Sequence, residues 1–304
     1  MTVTTPARFT CFGLTVGSGL PLAPLDPLPP GGPGADVTVR RGPVPASLGA
    51  GETGGGWLRA TPGRVLLDVP AVGRILIRDG REIVVDAAAG VSDRTAGLWV
   101  LGSGMSGPAT PARPAGPARQ RGCRAGRGGG APRPLGAGKS TTAGALGTLG
   151  WQVLTDDICV VVPGGDGPGI LAGYPYLKLW PDAAAQLGRD GEGLDRLAQQ
   201  LGKLAAPVPP AATGPQVPLR RLYVLDPDGD GELTLIPLPG RERLGALAER
   251  TNRREMVSAM GMDRAHFEAV AALAAAVPVT RVTRPATGCP PATLARRLTE
   301  DLGR

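Results

Sequence analysis

The chain has 304 residues, 42% of them hydrophobic and 19% charged, so it is long enough to bury a core and is not a highly charged disordered chain. Its 48 glycines and 33 prolines follow no Gly-X-Y period, which excludes collagen. No apolar run is long enough to span a bilayer, the first 16 residues contain no basic stretch followed by an apolar one, and the four cysteines lack metal spacing. We therefore expect a cytoplasmic protein with no membrane partner.

Six of the seven net positive charges come from one segment, residues 106–135. This segment contains six arginines and no acidic residue, and the rest of the chain carries 27 basic against 26 acidic residues. A nucleic-acid-binding surface would place aromatic residues among the basic ones or concentrate them on a helix face, and segment 106–135 does neither. We therefore expect no nucleic-acid partner.

Short β-type runs separated by Gly and Pro predict a small β-rich N-terminal module over residues 1–90. The predicted strands are 7–16, 36–40, 64–69, 73–78 and 82–86. Residues 92–105 then follow a helical pattern with Ser92 as the N-cap.

Residues 91–304 alternate between helical and strand patterns, which predicts an α/β domain. Residues 136–150 are typical of a loop that leads into a helix, residues 151–162 of one or two strands, and residues 220–238 of a hairpin. Further helices are predicted at 180–187, 191–201, 240–249, 262–276 and 291–302.

A glycine-rich turn before a predicted helix carries the strongest chemical signal. Its residues are Gly136, Ala137, Gly138, Lys139, Ser140 and Thr141. Backbone N–H groups in such a turn bind phosphate oxygens, and the helix dipole favours an anion there. In the phosphate-loop pattern G-x-x-x-x-G-K-[ST], the lysine reaches the β and γ phosphates and the hydroxyl binds Mg²⁺. The first glycine of that pattern is replaced by Arg133, so a helix start that contains Lys-Ser by coincidence is the competing interpretation.

An acidic pair, Asp156 and Asp157, begins 17 residues after Lys139 and follows a predicted strand at 153–155. That spacing leaves room for one helix and a turn that bring the pair back to the phosphate loop. One carboxylate would join Ser140 in holding Mg²⁺, and the other would accept a proton from the acceptor hydroxyl. We favour this catalytic interpretation over that of a solvated strand end. The sequence does not say which of the two aspartates is the base and which the metal ligand.

The blocks GAGKSTTAGALGTLGWQVLTDDICVV and GYPYLKLWPDAAAQLG resemble the HPr kinase/phosphorylase superfamily. They are most similar to the HPr-kinase-like proteins of peptide-modification gene clusters, including lasso-precursor kinases. The opening FTCFGLTVGSGLPLAPL and the later VPLRRLYVL and AAVPVTRVTRP are also similar, so the resemblance covers most of the chain except residues 106–135.

The resemblance implies a P-loop kinase domain of the HPr kinase/PEP carboxykinase-like type. It implies transfer of the ATP γ-phosphoryl group to a serine hydroxyl on a protein or peptide, with Mg²⁺, and the reverse phosphorolysis in the HPr enzymes. Self-association is implied as well, because HPr kinases form hexamers. The residues that match the family's ATP loop are Gly136, Gly138, Lys139, Ser140 and Thr141. Asp156 and Asp157 match its acidic pair, and 174–175 and 178–182 match a further block.

Two family features are missing, and both would fall within segment 106–135. The family carries a histidine just before its ATP loop, in a Leu-His-Ala-Ser-like context, whereas the one histidine of this chain is His266. The first loop glycine is Arg133. Of the 30 residues in the segment, 25 are Gly, Pro, Ala or Arg, the composition that GC-rich DNA gives in a wrong reading frame.

Permitted codons for residues 113–135 allow a one-base shift to encode GLLALHASAVAGRGGAVAPLGPS, which restores both features. Our hypothesis is a pair of compensating frameshifts near 106–112 and 135–136, arising from sequencing errors or from true mutations. The segment should supply two apolar strands beside the ATP loop, and Pro, Gly and Arg fill a central sheet poorly. We call the chain with residues 106–135 as they stand the unaltered chain, and predict that it is poorly folded or inactive. The chain with the original reading frame of that segment is predicted to be a kinase.

Two alternatives come from other classes of function. The first is a non-catalytic nucleotide-binding or adaptor protein, which binds ATP without phosphoryl transfer. The second is a phosphate-loop kinase that acts on a small molecule.

Overall fold

The computed structural model describes residues 6–70, 72–106, 121–123, 138–189, 194–196, 202–210, 216–229, 231–251, 254–285 and 289–303. Within these ranges the chain is mixed α/β, with a large N-terminal sheet followed by smaller sheets and most of the helices. None of the helices in these ranges has the length and apolar character needed to cross a membrane.

The N-terminal sheet has eight strands in the order β1-β2-β3-β8-β7-β6-β5-β4. They are β1 (Ala7–Cys11), β2 (Leu14–Ser18), β3 (Val37–Arg41), β4 (Thr53–Gly55), β5 (Leu58–Thr61), β6 (Arg64–Val69), β7 (Gly73–Arg78) and β8 (Glu82–Ala87). In β3, Val37 and Val39 are buried and Thr38 is exposed, as expected of a strand covered on one face. Strand β7 buries three consecutive residues, so both of its faces are covered there.

The predicted strand 7–16 is wrong in one respect, because it consists of two strands. Phe12 and Gly13 have φ values of 52° and 69°, and Cys11 pairs with Leu14. Two consecutive residues with positive φ make the tight turn of an antiparallel hairpin. Phe12 is fully buried at the tip of this turn.

Helix α1 (Asp93–Gly102) follows the sheet, and the predicted N-cap is confirmed because Ser92 Oγ accepts the N–H of Thr95 at 3.1 Å. The helix lies against the Pro-rich loop that follows β2. A Cβ at Gly97 would lie 2.0 Å from the carbonyl oxygen of Pro21, so only glycine permits this approach.

Gly97→Ala is therefore expected to lower the free energy of unfolding by about 1 to 3 kcal/mol, because the added methyl group displaces backbone. The matched control is Gly147→Ala, which places a methyl group near no other atom within 4 Å. That change is expected to raise the free energy of unfolding slightly, by up to about 1 kcal/mol, through helix propensity. Urea denaturation of the two variants measures the difference, and effects of equal size would contradict it.

The remaining elements form three further sheets within the described ranges, with orders β15-β11-β10-β9, β12-β14-β13 and β16-β18-β17. The strands are β9 (Arg121–Cys123), β10 (Cys159–Val162), β11 (Gly169–Leu171), β12 (Tyr176–Leu179), β13 (Asp195–Arg196), β14 (Leu204–Pro207), β15 (Val217–Pro218), β16 (Leu222–Gly229), β17 (Thr234–Pro237) and β18 (Val279–Pro285). The helices are α2 (Lys139–Thr148), α3 (Pro181–Gln186), α4 (Gly240–Glu249), α5 (Arg254–Ala259), α6 (Asp263–Ala276) and α7 (Pro291–Leu302).

The helices predicted at 180–187, 240–249, 262–276 and 291–302 are confirmed as α3, α4, α6 and α7. Three predictions are wrong. Residues 220–238 are not a hairpin, because β16 and β17 each pair with β18 and not with each other. Within the predicted helix 191–201, Asp195–Arg196 pairs as a strand with β14, and residues 191–193 and 197–201 lie outside the described residues. The strand predicted at 153–155 is absent, whereas the prediction of one or two strands over 151–162 is confirmed by β10.

One hydrophobic core joins the two predicted domains. It contains Phe9 and Val16 from the N-terminal sheet together with Val160, Tyr174 and Tyr176 from the later part of the chain. The connection between β8 and α1, where the predicted boundary at residue 90 falls, therefore links two parts that are packed against each other.

Candidate functional site

Gly138 is the N-cap of helix α2 and has a left-handed backbone with φ of 73°. The carbonyl oxygen of Gly138 accepts hydrogen bonds from both the N–H and the Oγ1 hydroxyl of Thr142, each at 2.8 Å. Glycine tolerates this conformation and carries no side chain that could cap the first N–H groups of the helix. The positive end of the α2 dipole therefore lies beside a turn where an anion can approach the backbone.

Two apolar contacts hold α2 between two of the smaller sheets. Ala143 packs against the core of the β12-β14-β13 sheet, which includes Leu177. Leu146 packs against a cluster of Val282 on β18 with residues of α7. The direction of the helix N-terminus is thus set by packing on two sides.

Asp156 lies beside the start of α2. Its Oδ2 atom accepts a hydrogen bond from the hydroxyl of Ser140 at 3.0 Å and another from the backbone N–H of Lys178 at 2.8 Å. The structure therefore brings Ser140 and Asp156 together, as the spacing of the motifs predicts. The predicted reason for the proximity is wrong, because the pair lies in a bend before β10 and not at the end of a strand at 153–155.

Asp157 forms a close ion pair with Lys178, through Oδ2 and Nζ. The side chains of Asp157 and Lys178 are 22% and 16% exposed, so the pair is largely shielded from water. A Cβ at Gly102 would lie 2.4 Å from Lys178 Nζ, which means that the end of α1 closely confines the lysine head. Lys178 thus contacts both aspartates, one through its backbone and one through its side chain.

The two aspartates have different electrostatic surroundings. Burial raises the pKa of Asp156, and the negative charge of Asp157 raises it further, whereas hydrogen bonds from the Lys178 N–H and Ser140 lower it. The net effect is a raised pKa for Asp156. Asp157 is instead held by the cation of Lys178.

The other predicted site residues are placed as follows. Lys139, Ser140 and Thr141 form the first turn of α2, directly after Gly138. Gly136 and Ala137 lie outside the described residues, as does segment 106–135 apart from Ser106 and strand β9. Strand β9 pairs antiparallel with β10, with Cys123 opposite Cys159.

An aromatic cluster lies where the N-terminal hairpin meets the beginning of β12. The rings of Tyr174 and Tyr176 stack with centroids 4.6 Å apart, and Phe12 meets Tyr174 edge-on at 6.1 Å. Burial raises the pKa of both tyrosines well above the usual range, so both phenols stay neutral. The N–H of Phe12 donates to the carbonyl of Ala172 at 2.8 Å, which ties the N-terminal hairpin to this cluster.

Arg284, near the end of β18, is a residue at this site that the sequence analysis missed. A Cβ at Gly138 would lie 2.9 Å from Arg284 Nη2, so the guanidinium reaches the start of α2. No local pattern distinguishes this arginine, because only the docking of β18 beside α2 brings the two together. Lys178 lies in the block at 178–182 that resembles the HPr kinases, and no other feature of the sequence distinguishes it.

The donor set at this site fits magnesium held together with substrate phosphates. Among the described residues, no group of three or more His, Cys, Asp and Glu side chains is arranged to hold a metal. Mg²⁺ in phosphoryl-transfer sites commonly uses one or two carboxylates and takes its remaining ligands from phosphates and water. The Ser140 hydroxyl and the carboxylates of Asp156 and Asp157 are oxygen ligands of that kind.

Comparisons with protein-family models, with curated proteins and with solved structures found no match. The resemblance to HPr kinases therefore remains a prediction.

Proposed function

We propose that this protein is a phosphate-loop kinase that transfers the γ-phosphoryl group of ATP to a serine hydroxyl on a protein or peptide. The observation that carries the proposal is the 3.0 Å hydrogen bond between Ser140 Oγ and Asp156 Oδ2 at the start of α2. Phosphate-loop enzymes use such a hydroxyl and carboxylate, on separate elements, to hold magnesium next to the phosphates.

Phosphate binding is assigned to the start of α2. No side chain caps α2 at Gly138, so phosphate oxygens can approach the first turn of the helix there. Lys139 follows directly and contributes a positive charge that offsets the charge of the β and γ phosphates. These groups act mainly by positioning and electrostatics, which are the main contributions a protein makes to phosphoryl transfer.

The contacts of the two aspartates favour a division of their roles. Asp156 accepts a hydrogen bond from the Ser140 hydroxyl, so we assign Asp156 and Ser140 as the residues that would hold magnesium. When bound, magnesium would neutralise phosphate charge. Asp157 is assigned as the base that accepts the serine proton, and Lys178 holds its carboxylate in place. The serine oxygen then bonds to the γ phosphorus as the bond from that phosphorus to the ADP oxygen breaks.

A second candidate function is nucleotide binding without transfer. It is favoured by the replacement of the first loop glycine by Arg133 and by the lack of a histidine before the loop. Both departures belong to segment 106–135. In this case the unaltered chain would bind ATP as an adaptor.

The test is a transfer assay with radiolabelled ATP, Mg²⁺, serine-containing peptides and small metabolites. We define the frame-restored variant as the chain with residues 113–135 replaced by GLLALHASAVAGRGGAVAPLGPS, and expect it to label serine. Within this variant, Ser140→Ala is expected to reduce transfer by about 10² to 10³-fold, because it removes a contact to the metal side. Thr148→Ala, at the other end of α2, is the matched control and should retain transfer.

The outcomes separate the candidates. Label on a peptide serine supports the proposal, and label on a metabolite supports the small-molecule kinase instead. ATP binding without any labelled product supports the adaptor. The kinase proposal fails if neither chain binds ATP.

A further inference from the structure

Arg284 combines two features that a purely structural arginine rarely has. Its Nε atom is buried and has no hydrogen-bond partner among the described residues. Its Nη1 atom makes one long contact, 3.5 Å to the carbonyl oxygen of Pro285. A buried donor without a partner costs free energy, so the described part of the chain satisfies this guanidinium poorly.

The location of the guanidinium makes a second unfavourable contribution to the free energy of the fold. Its Nη2 atom approaches Gly138, at the positive end of the α2 dipole. An arginine is always charged, so two positive groups face the same space. An anion bound between them would satisfy the free donors and remove the repulsion.

The topology points to the same place. Strands β16 and β18 are parallel, and Arg284 lies one residue before the carboxyl end of β18. Ligands of α/β proteins bind beyond the carboxyl ends of parallel strands. Arg284 therefore stands where a ligand held by the start of α2 would lie.

We infer that Arg284 is a phosphate-binding residue, which contacts a phosphate of the nucleotide together with the first N–H groups of α2. The inference rests on the proposed function and adds a residue to it. The ligand class is a nucleoside polyphosphate, and inorganic pyrophosphate carries the same chemistry without the base and sugar. A planar guanidinium makes two parallel hydrogen bonds to a phosphate, whereas lysine supplies a point charge.

Arg281 provides a matched control on the same strand. It lies three positions earlier, so its side chain leaves the opposite face of β18. Arg281 Nη2 lies 3.8 Å from Glu242 Oε2, on helix α4. Arg281→Met removes the same charge from the same strand without touching the start of α2.

The experiment is calorimetric binding of Mg-ATP, Mg-ADP and pyrophosphate to Arg284→Met, Arg284→Lys and Arg281→Met. The full unaltered chain and the frame-restored variant are both measured. Arg284→Met is expected to weaken ATP and pyrophosphate binding by about 10 to 100-fold, the effect of a lost charge-assisted hydrogen-bond pair. Arg284→Lys should be intermediate, and Arg281→Met should stay within about 2-fold of the parent chain.

The inference is overturned, and the proposed function survives, if the parent chain binds ATP and Arg284→Met binds it as tightly as Arg281→Met does. If neither parent chain binds ATP or pyrophosphate, the proposed function fails and the inference with it. Circular dichroism melting shows whether Arg284→Met is folded. If Arg284→Met does not fold, Arg284→Lys decides: weaker pyrophosphate binding at an unchanged melting temperature supports the inference, and unchanged binding overturns it.

Discussion

Replacing residues 113–135 with GLLALHASAVAGRGGAVAPLGPS is expected to raise phosphoryl transfer from background by at least about 10³-fold. The replacement restores the glycine at the first fixed position of the phosphate loop, where Arg133 now stands. That glycine allows the backbone of the turn to approach the phosphates closely, which a residue with a long side chain prevents. It also restores the histidine that the resemblance to HPr kinases implies.

The same replacement is expected to stabilise the protein. Its two apolar runs can pair and pack as strands, whereas the unaltered segment is mainly Gly, Pro, Ala and Arg. Filling buried sheet positions is worth several kcal/mol, which is comparable with the whole stability of a domain. Urea denaturation and the transfer assay measure the two effects on one preparation.

Two controls identify which part of the replacement matters. A version of the frame-restored variant that keeps Arg133 should fold but lose transfer, because only the turn is altered. An insert with the same residues in scrambled order should restore neither stability nor transfer. High activity in the unaltered chain would contradict the prediction. Resequencing the gene separates a sequencing error from a true mutation.

Asp156→Asn and Asp157→Asn are expected to abolish transfer in the frame-restored variant, each by about 10³-fold or more, while changing stability in opposite directions. The contacts of the two carboxylates explain the difference. The Asp156 oxygen accepts hydrogen bonds from Ser140 and from the Lys178 N–H, and an asparagine carbonyl oxygen can accept both. The Asp157 oxygen pairs with the Lys178 ammonium, and a neutral amide leaves that cation without its charge partner.

The pH dependence follows from the raised pKa of Asp156. A carboxyl group whose pKa is higher in the folded state binds its proton more tightly there, so the stabilisation it contributes is fully present below the unfolded-state pKa, about 3.9. That stabilisation is lost as the pH rises through the folded-state pKa. At neutral pH Asp156 therefore contributes less stability than it does in acid, and Asp156→Asn, which cannot ionise, is expected to raise the free energy of unfolding by about 0.5 to 2 kcal/mol.

The gain from Asp156→Asn should shrink as the pH falls below about 4, where the carboxyl group of Asp156 becomes protonated in the unfolded chain as well as in the folded one. Asp157→Asn should lower the free energy of unfolding at neutral pH by about 1 to 3 kcal/mol, because Lys178 stays largely buried without its partner. Urea titrations at two pH values give both quantities. Stability changes of the same sign in both variants would contradict the assigned contacts.

Local sequence patterns were enough to place several elements of this protein. The helices predicted at 240–249 and 291–302 have those bounds, and Ser92 caps α1 as expected. These features depend on residues within a few positions of one another, through helical periodicity and capping hydrogen bonds. The spacing between Lys139 and Asp156 also predicts correctly that Asp156 returns to the start of α2.

Contacts between distant segments were not accessible in the same way. Strand β18 enters between β16 and β17, which turns a predicted hairpin into a parallel and an antiparallel pair. That docking also brings Arg284 to Gly138, and the approach of α1 confines Lys178 beside Asp157. Periodicity tells which side of an element is buried but not which element covers it, because pairing partners are selected by the packing of the whole core.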